Sequence, residues 1–283
     1  MNQTGDILQN IPKHTTVAII PARFASTRLA GKALIDLAGK PMVCWVAERA
    51  QAAKNVDRVI VATDSEEIVA AVRPRGIEVM LTSEQHTSGT DRVAEVAAAI
   101  PEAKIIVNVQ GDEPLISPQT IEKAIDVMAA EMDKPGDGAR GAGGAGIVTT
   151  WEPMECAADL LDPDLVKVVV DDDDNAVYFS RSPVPYPRDA VKRHGSLDVA
   201  LAAEPELLKL FRKHTGLYVY RRDVLLEFTK WPQTNLERTE ALEQLRALAH
   251  GVKIKVVEAC TASTGVDTLA DLEKVRAQLL QNV

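Results

Sequence analysis

The chain has 283 residues, of which 46% are hydrophobic and 26% charged, with a formal net charge of −9. This length can bury a sizeable core in one large or two smaller α/β domains. The acidic balance argues against a surface for nucleic acid or anionic membrane. Three widely spaced cysteines, Cys44, Cys156 and Cys260, match no disulfide scaffold, zinc motif or redox motif, and so favour a reducing cytosol.

The first residues show no signal-peptide pattern, and no apolar run approaches the roughly 20 residues that span a bilayer. We therefore expect a cytoplasmic protein without a membrane partner. Residues 1–14 are polar and aperiodic, which predicts an extension outside the fold. Residues 15–283 are predicted to form a single domain.

From residue 16 onward, short apolar runs alternate with stretches of helical periodicity. Because the connections between them are short, this alternation predicts βαβ units and a mostly parallel sheet. The predicted strands are 16–20, 59–62, 77–81 and 104–109, and the predicted helices are 41–50, 66–72, 91–100 and 118–132.

The pattern changes at residues 134–146, a Gly-rich stretch that predicts a surface loop. Residues 166–170 and 176–180 then predict an antiparallel hairpin, whose acidic tip (171–174) is more typical of a solvated turn than of a metal site. The remaining predicted elements are a strand at 217–220, a helix at 236–249, a strand at 253–257 and a helix at 268–280.

The loop after the first strand is basic and contains Arg23, Arg28 and Lys32. In a parallel α/β sheet, ligands bind beyond the carboxyl ends of the strands, so three cations here can clamp a polyphosphate. A solvated basic loop fits the composition equally well. The loop matches neither the Walker A motif nor the dinucleotide-binding fingerprint.

Two further strand exits place an acid after a glycine: Gly111-Asp112 after the fourth strand, and Gly265-Val266-Asp267 after the last. Glycine permits the tight turn that points such an acid into the strand-end cleft. Carboxylates there suit Mg²⁺, which commonly shares its oxygen ligands with substrate phosphates. A plain acidic turn at Asp112 and a helix cap at Asp267 are the alternatives.

Residues 88–92, Ser-Gly-Thr-Asp-Arg, open the third predicted helix. The free backbone N–H groups of a helix N-terminus can hold an anion or a base edge. An ordinary N-cap accounts for Thr90 or Asp91 but not for Arg92.

These motifs, in this order, resemble the CMP-sugar-acid synthetases, and most closely the 3-deoxy-D-manno-octulosonate (Kdo) cytidylyltransferase family, the CMP-Kdo synthetases. The resemblance runs from about Val17 to Ala277. It rests on the segments 20–32, 61–64, 88–92, 107–114, 166–169, 178–181, 242–246 and 264–268.

The resemblance implies a Rossmann-like nucleotidyltransferase fold, in which helices flank a mostly parallel sheet and a smaller antiparallel dimerisation lobe spans approximately 151–235. It implies a cytoplasmic homodimer that transfers CMP from CTP to Kdo with Mg²⁺, releasing pyrophosphate, for lipopolysaccharide biosynthesis. A cytidylyltransferase for another acidic sugar, such as 8-amino-Kdo or a sialic acid, is one alternative. A non-catalytic nucleotide sensor is another, although the presence of Lys32, Asp112 and Asp267 argues against it.

By matching position, the resemblance also implies the site residues. Arg23, Lys32, Asp112 and Asp267 form the catalytic set, in which the two aspartates hold the metal. The nucleotide-binding set is Arg23, Arg28, Lys32, Ser88, Gly89, Thr90 and Arg92. The sugar-binding set is Gln110, Arg181, His214, Tyr218, Glu243 and Gln244. Lys213 and Thr215 flank His214 where the family commonly has Arg and Leu.

Overall fold

The computed structural model describes residues 14–24, 29, 31–135 and 143–281. Most of the predicted polar extension and the centre of the predicted Gly-rich loop therefore lie outside the described residues. So does Arg28, one of the three predicted clamp cations.

A mostly parallel sheet forms the centre of the described part, as predicted. The strands are β1 (Thr16–Ala22), β2 (Asp36–Leu37), β3 (Lys40–Pro41), β4 (Arg58–Thr63), β5 (Glu78–Leu81), β6 (Ile105–Asn108), β7 (Ile147–Pro153), β8 (Lys167–Val170), β9 (Ala176–Ser180), β10 (Arg212–Arg221) and β11 (Ile254–Glu258). Those of the central sheet lie in the order β11-β7-β10-β6-β1-β4-β5. Neighbours in this order pair in parallel except β10, which runs antiparallel to both β6 and β7.

Helices cover both faces of this sheet. Several begin at a serine whose hydroxyl accepts a free backbone N–H, as Ser65, Ser88 and Ser117 do. The helices are α1 (Met42–Gln51), α2 (Glu66–Val72), α3 (Gly89–Ala98), α4 (Pro118–Met132), α5 (Ala157–Leu161), α6 (Arg188–His194), α7 (Leu197–Ala203), α8 (Arg222–Phe228), α9 (Asn235–Glu240), α10 (Gln244–Ala249) and α11 (Leu269–Gln281). Among the described residues, no helix is long and apolar enough to cross a bilayer.

The alternation of side chains along β1 builds an apolar layer on each face of the sheet. Ile20 packs in the layer that includes α1 and α4. Its neighbour Ile19 packs in the layer that includes α3 and α8. Burial on both faces explains why this strand is an unbroken apolar run.

The predicted hairpin is confirmed: β8 and β9 pair antiparallel, and the tip at 171–174 is exposed. Asp171 organises this turn by accepting the backbone N–H groups of Asp173 and Asn175. The Asp171 carboxylate thus stabilises the turn itself, which favours a solvated turn over a metal site at this tip.

Several parts of the fold differ from the sequence-based expectations, and the helices α5, α6, α7 and α8 were not predicted. The strand β7 was not predicted, because its β-branched run Ile147–Thr150 directly follows the Gly-rich stretch. The single helix predicted at 236–249 is wrong. The chain instead forms α9 and α10, which are separated at Ala241, whose left-handed backbone (φ 52°) ends α9.

His214 lies on β10 opposite Trp151 of β7, and its ring packs against that of Phe179, with 5.0 Å between the ring centroids. The Thr149 hydroxyl donates its one proton to the Leu217 carbonyl, so His214 Nε2, 2.9 Å from that hydroxyl, must donate to it. Burial lowers the pKa of His214 to about 3. The ring is therefore neutral, with its proton on Nε2, at any pH near 7.

This burial predicts a loss of stability in mild acid. In the unfolded chain the imidazole takes up a proton below about pH 6.5, whereas in the folded protein it does not. The free energy of unfolding should thus fall by at most about 2 kcal/mol through this group between pH 7 and pH 5. Urea titration of wild type and His214→Gln at both pH values measures the difference.

His214→Gln should lose the part of the pH dependence of stability that is due to His214. His250→Gln, which removes a histidine stacked on Trp231, should keep it. An unchanged pH dependence in His214→Gln would contradict the assigned neutral state.

Candidate active site

A cavity of about 390 Å³ opens at the carboxyl ends of the central strands. In open α/β sheets this edge is where ligands bind. It brings together residues from all three predicted sets: the helix opening at 88–92, one predicted metal aspartate and most of the sugar-binding residues. The lining residues are Gly89, Thr90, Asn108, Gln110, Asp112, Ile147, Gly216, Tyr218, Tyr220, Phe228, Ala241, Leu242, Glu243 and Gln244.

Lys32, Asp112 and Asp267 meet at one point beside this cavity. Lys32 Nζ donates to Asp112 Oδ2 at 2.6 Å and to Asp267 Oδ1 at 2.9 Å. Burial disfavours the ammonium, but the attraction of Asp112 and Asp267 outweighs it and raises the pKa of Lys32. The two carboxylate oxygens are thus separated by no more than the sum of those two distances, with a fixed positive charge between them.

The turn that carries Asp112 packs directly on the end of β1. A Cβ on Gly111 would lie 2.8 Å from the Pro21 carbonyl oxygen, so this close approach requires glycine. The Asp112 carbonyl in turn accepts the Val266 N–H at 2.9 Å, which brings the segment with Asp267 against the same turn. Backbone contacts therefore set the spacing of the two aspartates.

The helix opening at 88–92 forms the neighbouring wall. Ser88 Oγ accepts the Asp91 N–H at 3.1 Å, which caps α3, and Gly89 packs on the Pro21 ring. Thr90 donates to Glu243 Oε2 at 2.7 Å. A predicted nucleotide-binding residue is thus hydrogen-bonded to a predicted sugar-binding residue.

Arg92 occupies a different place from the one expected. Its side chain is 2% exposed, and its guanidinium pairs with Asp64 at 2.5 Å and with the Thr82 hydroxyl. It is not among the described residues that line the cavity. Arg92 thus ties α3 to residues that follow β4 and β5, and its contact with the nucleotide stays a prediction.

Four residues of the predicted sugar-binding set line the cavity: Gln110, Tyr218, Glu243 and Gln244. Gln110 Nε2 donates to Asn108 Oδ1 and to the Gly216 carbonyl, both at 3.3 Å. These bonds fix the amide in a defined orientation at the cavity wall.

His214 and Arg181 are not among the cavity's described lining residues. The His214 ring lies behind Tyr218, with 5.4 Å between ring centroids. Arg181 uses its guanidinium on backbone carbonyls, donating to Glu240 O at 2.7 Å and to Pro163 O at 2.8 Å. Both residues support cavity residues from outside.

Arg181 holds the corner at which α9 ends. Besides the Glu240 carbonyl, its backbone N–H binds the Glu240 carboxylate at 2.9 Å, which also accepts the Ser180 hydroxyl. Two residues beyond this corner, the chain delivers Glu243 and Gln244 to the cavity. The helix break missed from the sequence is therefore what positions these two side chains.

Sequence reasoning also missed Asn108, Gly216 and Tyr220 as lining residues. The signal for Tyr220 was available: it lies two positions after Tyr218 on β10 and so faces the same side of the sheet. The two rings stack, 5.8 Å apart. Burial raises the pKa of each hydroxyl, which keeps both phenols neutral hydrogen-bonding groups.

Arg23 is exposed directly after β1. Within the described ranges, no cluster of three or more His, Cys, Asp or Glu side chains is placed to hold a metal ion. Asp112 and Asp267 offer only oxygen donors, which suits a hard cation whose remaining ligands come from water and substrate phosphate. The residues present thus fit Mg²⁺.

Comparisons with known proteins point to one enzyme family. The cytidylyltransferase family model matches residues 17–254. The 3-deoxy-manno-octulosonate cytidylyltransferase of Geobacter sulfurreducens is 51% identical over 262 residues, covering 93% of this chain and 98% of its own. The enzyme of the same name from Trichlorobacter lovleyi is 48% identical over 265 residues, with coverages of 94% and 98%.

A solved structure of a CMP:2-keto-3-deoxy-manno-octonic acid synthetase complexed with CTP has a TM-score of 0.81 and 40% identity to this chain. The match covers 95% of this chain and 100% of that one. With a family match over most of its length, the chain belongs to the cytidylyltransferase family.

Proposed function

We propose that this protein transfers CMP from CTP to Kdo, giving CMP-Kdo and pyrophosphate, for lipopolysaccharide biosynthesis. The observation that carries the proposal is the meeting of Lys32, Asp112 and Asp267 beside a cavity lined with amide, hydroxyl and carboxylate groups. Relatives that are matched over 98% of their own length and are named for this reaction support it. The substrates are CTP and Kdo.

The chemistry is a displacement at phosphorus. The anomeric hydroxyl of the sugar attacks the α-phosphorus of CTP, and pyrophosphate leaves. Such a transfer depends mainly on positioning and charge neutralisation, which is why a site of cations and carboxylates suffices without a nucleophilic Ser or Cys. The Lys32 ammonium, with Arg23 and Arg28 from the same loop, neutralises the triphosphate.

We further propose that Asp112 and Asp267 hold Mg²⁺. When bound, the ion supplies positive charge to phosphate oxygens and lowers the pKa of a coordinated hydroxyl. The donor set supports this, since both side chains present carboxylate oxygens at the cavity edge and are 36% and 53% exposed. Lys32 meanwhile keeps the two carboxylates together and orients them.

On the opposite wall, Gln110, Tyr218, Glu243 and Gln244 would hydrogen-bond the sugar hydroxyls. A polyhydroxylated acid needs several donors and acceptors, which amides, a carboxylate and a phenol supply. In this assignment His214 and Arg181 act on the sugar indirectly, through Tyr218 and through the corner after α9.

We also propose a cytoplasmic homodimer. The predicted lobe at 151–235 leaves large apolar side chains exposed, namely Leu161, Tyr186, Val199 and Leu210, by 47 to 61%. Apolar surface of this kind in a water-facing protein often marks a contact with another chain.

Pyrophosphate release tests the function most simply. The protein, CTP and Mg²⁺ are assayed with Kdo, 8-amino-Kdo and a sialic acid, and then with Kdo and UTP, ATP or GTP. We expect the highest kcat/KM with Kdo and CTP, because a site that hydrogen-bonds the cytosine amino group leaves buried polar groups unpaired with the wrong base. A higher kcat/KM with another sugar acid would make that acid the acceptor. CTP binding without pyrophosphate release in the presence of any of the sugar acids would favour a nucleotide sensor.

The two walls of the cavity should respond differently to substitution. Gln244→Ala removes hydrogen bonds to the sugar and should raise KM for Kdo several-fold, equivalent to about 0.5–1.5 kcal/mol, with CTP affinity nearly unchanged. Lys32→Ala should weaken CTP binding most. Calorimetric titration with CTP and sugar-saturation kinetics measure the two effects.

Gln51→Ala is the matched control, since it removes an exposed glutamine from the end of α1 and should change neither constant. Equal damage to CTP binding by Gln244→Ala and Lys32→Ala would refute the division into two walls.

A further inference from the structure

Asp267 lies on a segment with no helix or strand of its own. Residues 259–268 connect β11 to α11 in an irregular conformation. An irregular segment keeps an accurate shape only where its backbone is tied to rigid elements. Since Asp267 must stay within reach of Lys32 and Asp112, the ties along this segment decide the geometry of the site.

At its far end, the Asp267 and Thr268 N–H groups of the segment bind the Asp271 carboxylate on α11 at 3.1 and 2.8 Å. Before Asp267, the segment is tied to other elements at four backbone points. The Ala259 N–H binds the Trp151 carbonyl at 2.9 Å, and the Cys260 N–H binds the Thr120 hydroxyl at 2.9 Å. The Val266 N–H binds the Asp112 carbonyl at 2.9 Å. The middle of the segment is tied at Ser263, whose N–H donates to Glu152 Oε1 at 2.7 Å.

The tie at Ser263 is made by a buried charge. The Glu152 side chain is 3% exposed, and its other oxygen pairs with Lys213 Nζ at 2.6 Å. Glu152 and Lys213 are opposite each other on β7 and β10, so both ends of the ion pair stand on rigid strands. A hydrogen bond to a charged, immobilised acceptor is stronger and better directed than a neutral one.

Glu152 therefore extends the contacts between β7 and the chain beyond the end of β11. The ladder between β7 and β11 ends at Trp151 and Glu258. One residue further on β7, Glu152 holds the chain at Ser263, four residues before Asp267.

We infer that Glu152 is a positioning residue for Asp267: together with Lys213 it fixes the 259–268 segment so that Asp112 and Asp267 can share one divalent cation. The inference rests on the proposed function, which gives the cation to these two aspartates. Outer contacts that orient metal ligands affect metal affinity by about 10–100-fold in other proteins.

The chain contains a matched control at the opposite edge of the sheet. Glu131 on α4 is also buried, with its side chain 8% exposed. One of its oxygens accepts the Ala145 N–H at 2.8 Å, and the other pairs with Lys134 at 2.6 Å. Ala145 precedes the start of β7, whereas Glu152 lies near its end, so the same chemistry operates far from Asp267.

The test compares Glu152→Ala with Glu131→Ala. Each protein is mixed with CTP in the absence of sugar, and binding of Mn²⁺ is followed by the loss of the free-ion electron paramagnetic resonance signal beyond that due to CTP alone. We expect Glu152→Ala to raise the Mn²⁺ dissociation constant about tenfold. Glu131→Ala should leave it within about twofold of wild type, although both substitutions lower Tm. CTP affinity at excess Mn²⁺ should stay nearly constant in both.

Two conservative variants keep the test decisive if Glu152→Ala does not fold. Glu152→Gln retains an oxygen for the Ser263 N–H but loses the ion pair with Lys213, and should weaken Mn²⁺ binding less than Glu152→Ala does. Glu152→Asp keeps the charge but shortens the reach, and should weaken Mn²⁺ several-fold.

Unchanged Mn²⁺ affinity in Glu152→Ala or Glu152→Asp, or an equal loss in Glu131→Ala, would overturn the inference. Failure of the proposed function would look different, because wild type itself would then release no pyrophosphate with CTP and Kdo. Wild type that bound no Mn²⁺ in the presence of CTP would overturn the inference whatever its activity.

Discussion

The site depends on keeping two carboxylates close together, which costs free energy unless a positive charge lies between them. Lys32 provides that charge from a position 80 residues before Asp112 and 235 before Asp267. Its side chain is only 13% exposed, so the interaction is screened less than a surface ion pair would be. The close approach of the loops after β1, β6 and β11 is thus both the cause and the consequence of one charge cluster.

The remaining features of the fold serve this cluster or the opposite wall. Gly111 lets the Asp112 turn approach the β1 backbone, and Glu152 holds the segment that carries Asp267. Across the cavity, the Thr90–Glu243 hydrogen bond joins the helix opening at 88–92 to the corner after α9. This bond connects a residue of the predicted nucleotide-binding set with one of the predicted sugar-binding set.

Much of this arrangement could be predicted from the sequence. Periodicity located α2 and α4 at their observed bounds and the β8–β9 hairpin nearly so, because these elements are bounded by clear caps and turns. Asp112 and Asp267, which follow Gly111 and Gly265, could likewise be placed at strand exits, because each comes after an apolar run that predicts a strand. Their meeting at Lys32 follows from topology, since parallel strands end at one edge of the sheet.

What could not be predicted depends on contacts between distant residues. No glycine or proline marks the break at Ala241, so a continuous helix was the natural expectation. The sequence also does not show that Arg92 is paired with Asp64, or that Arg181 is used on backbone carbonyls. A cation in a motif can bind substrate or protein, and only the three-dimensional partners distinguish the two.

The central claim is that Asp112 and Asp267 act as one unit. It is tested most directly by the rate of CMP transfer in Asp112→Asn, Asp267→Asn and the double variant, each checked for an unchanged Tm. Groups that act jointly give strongly non-additive losses. We expect each single change to reduce kcat by at least about a hundredfold, and the double variant to be no slower than the slower single one. A double variant whose loss equals the product of the two single losses would contradict the claim.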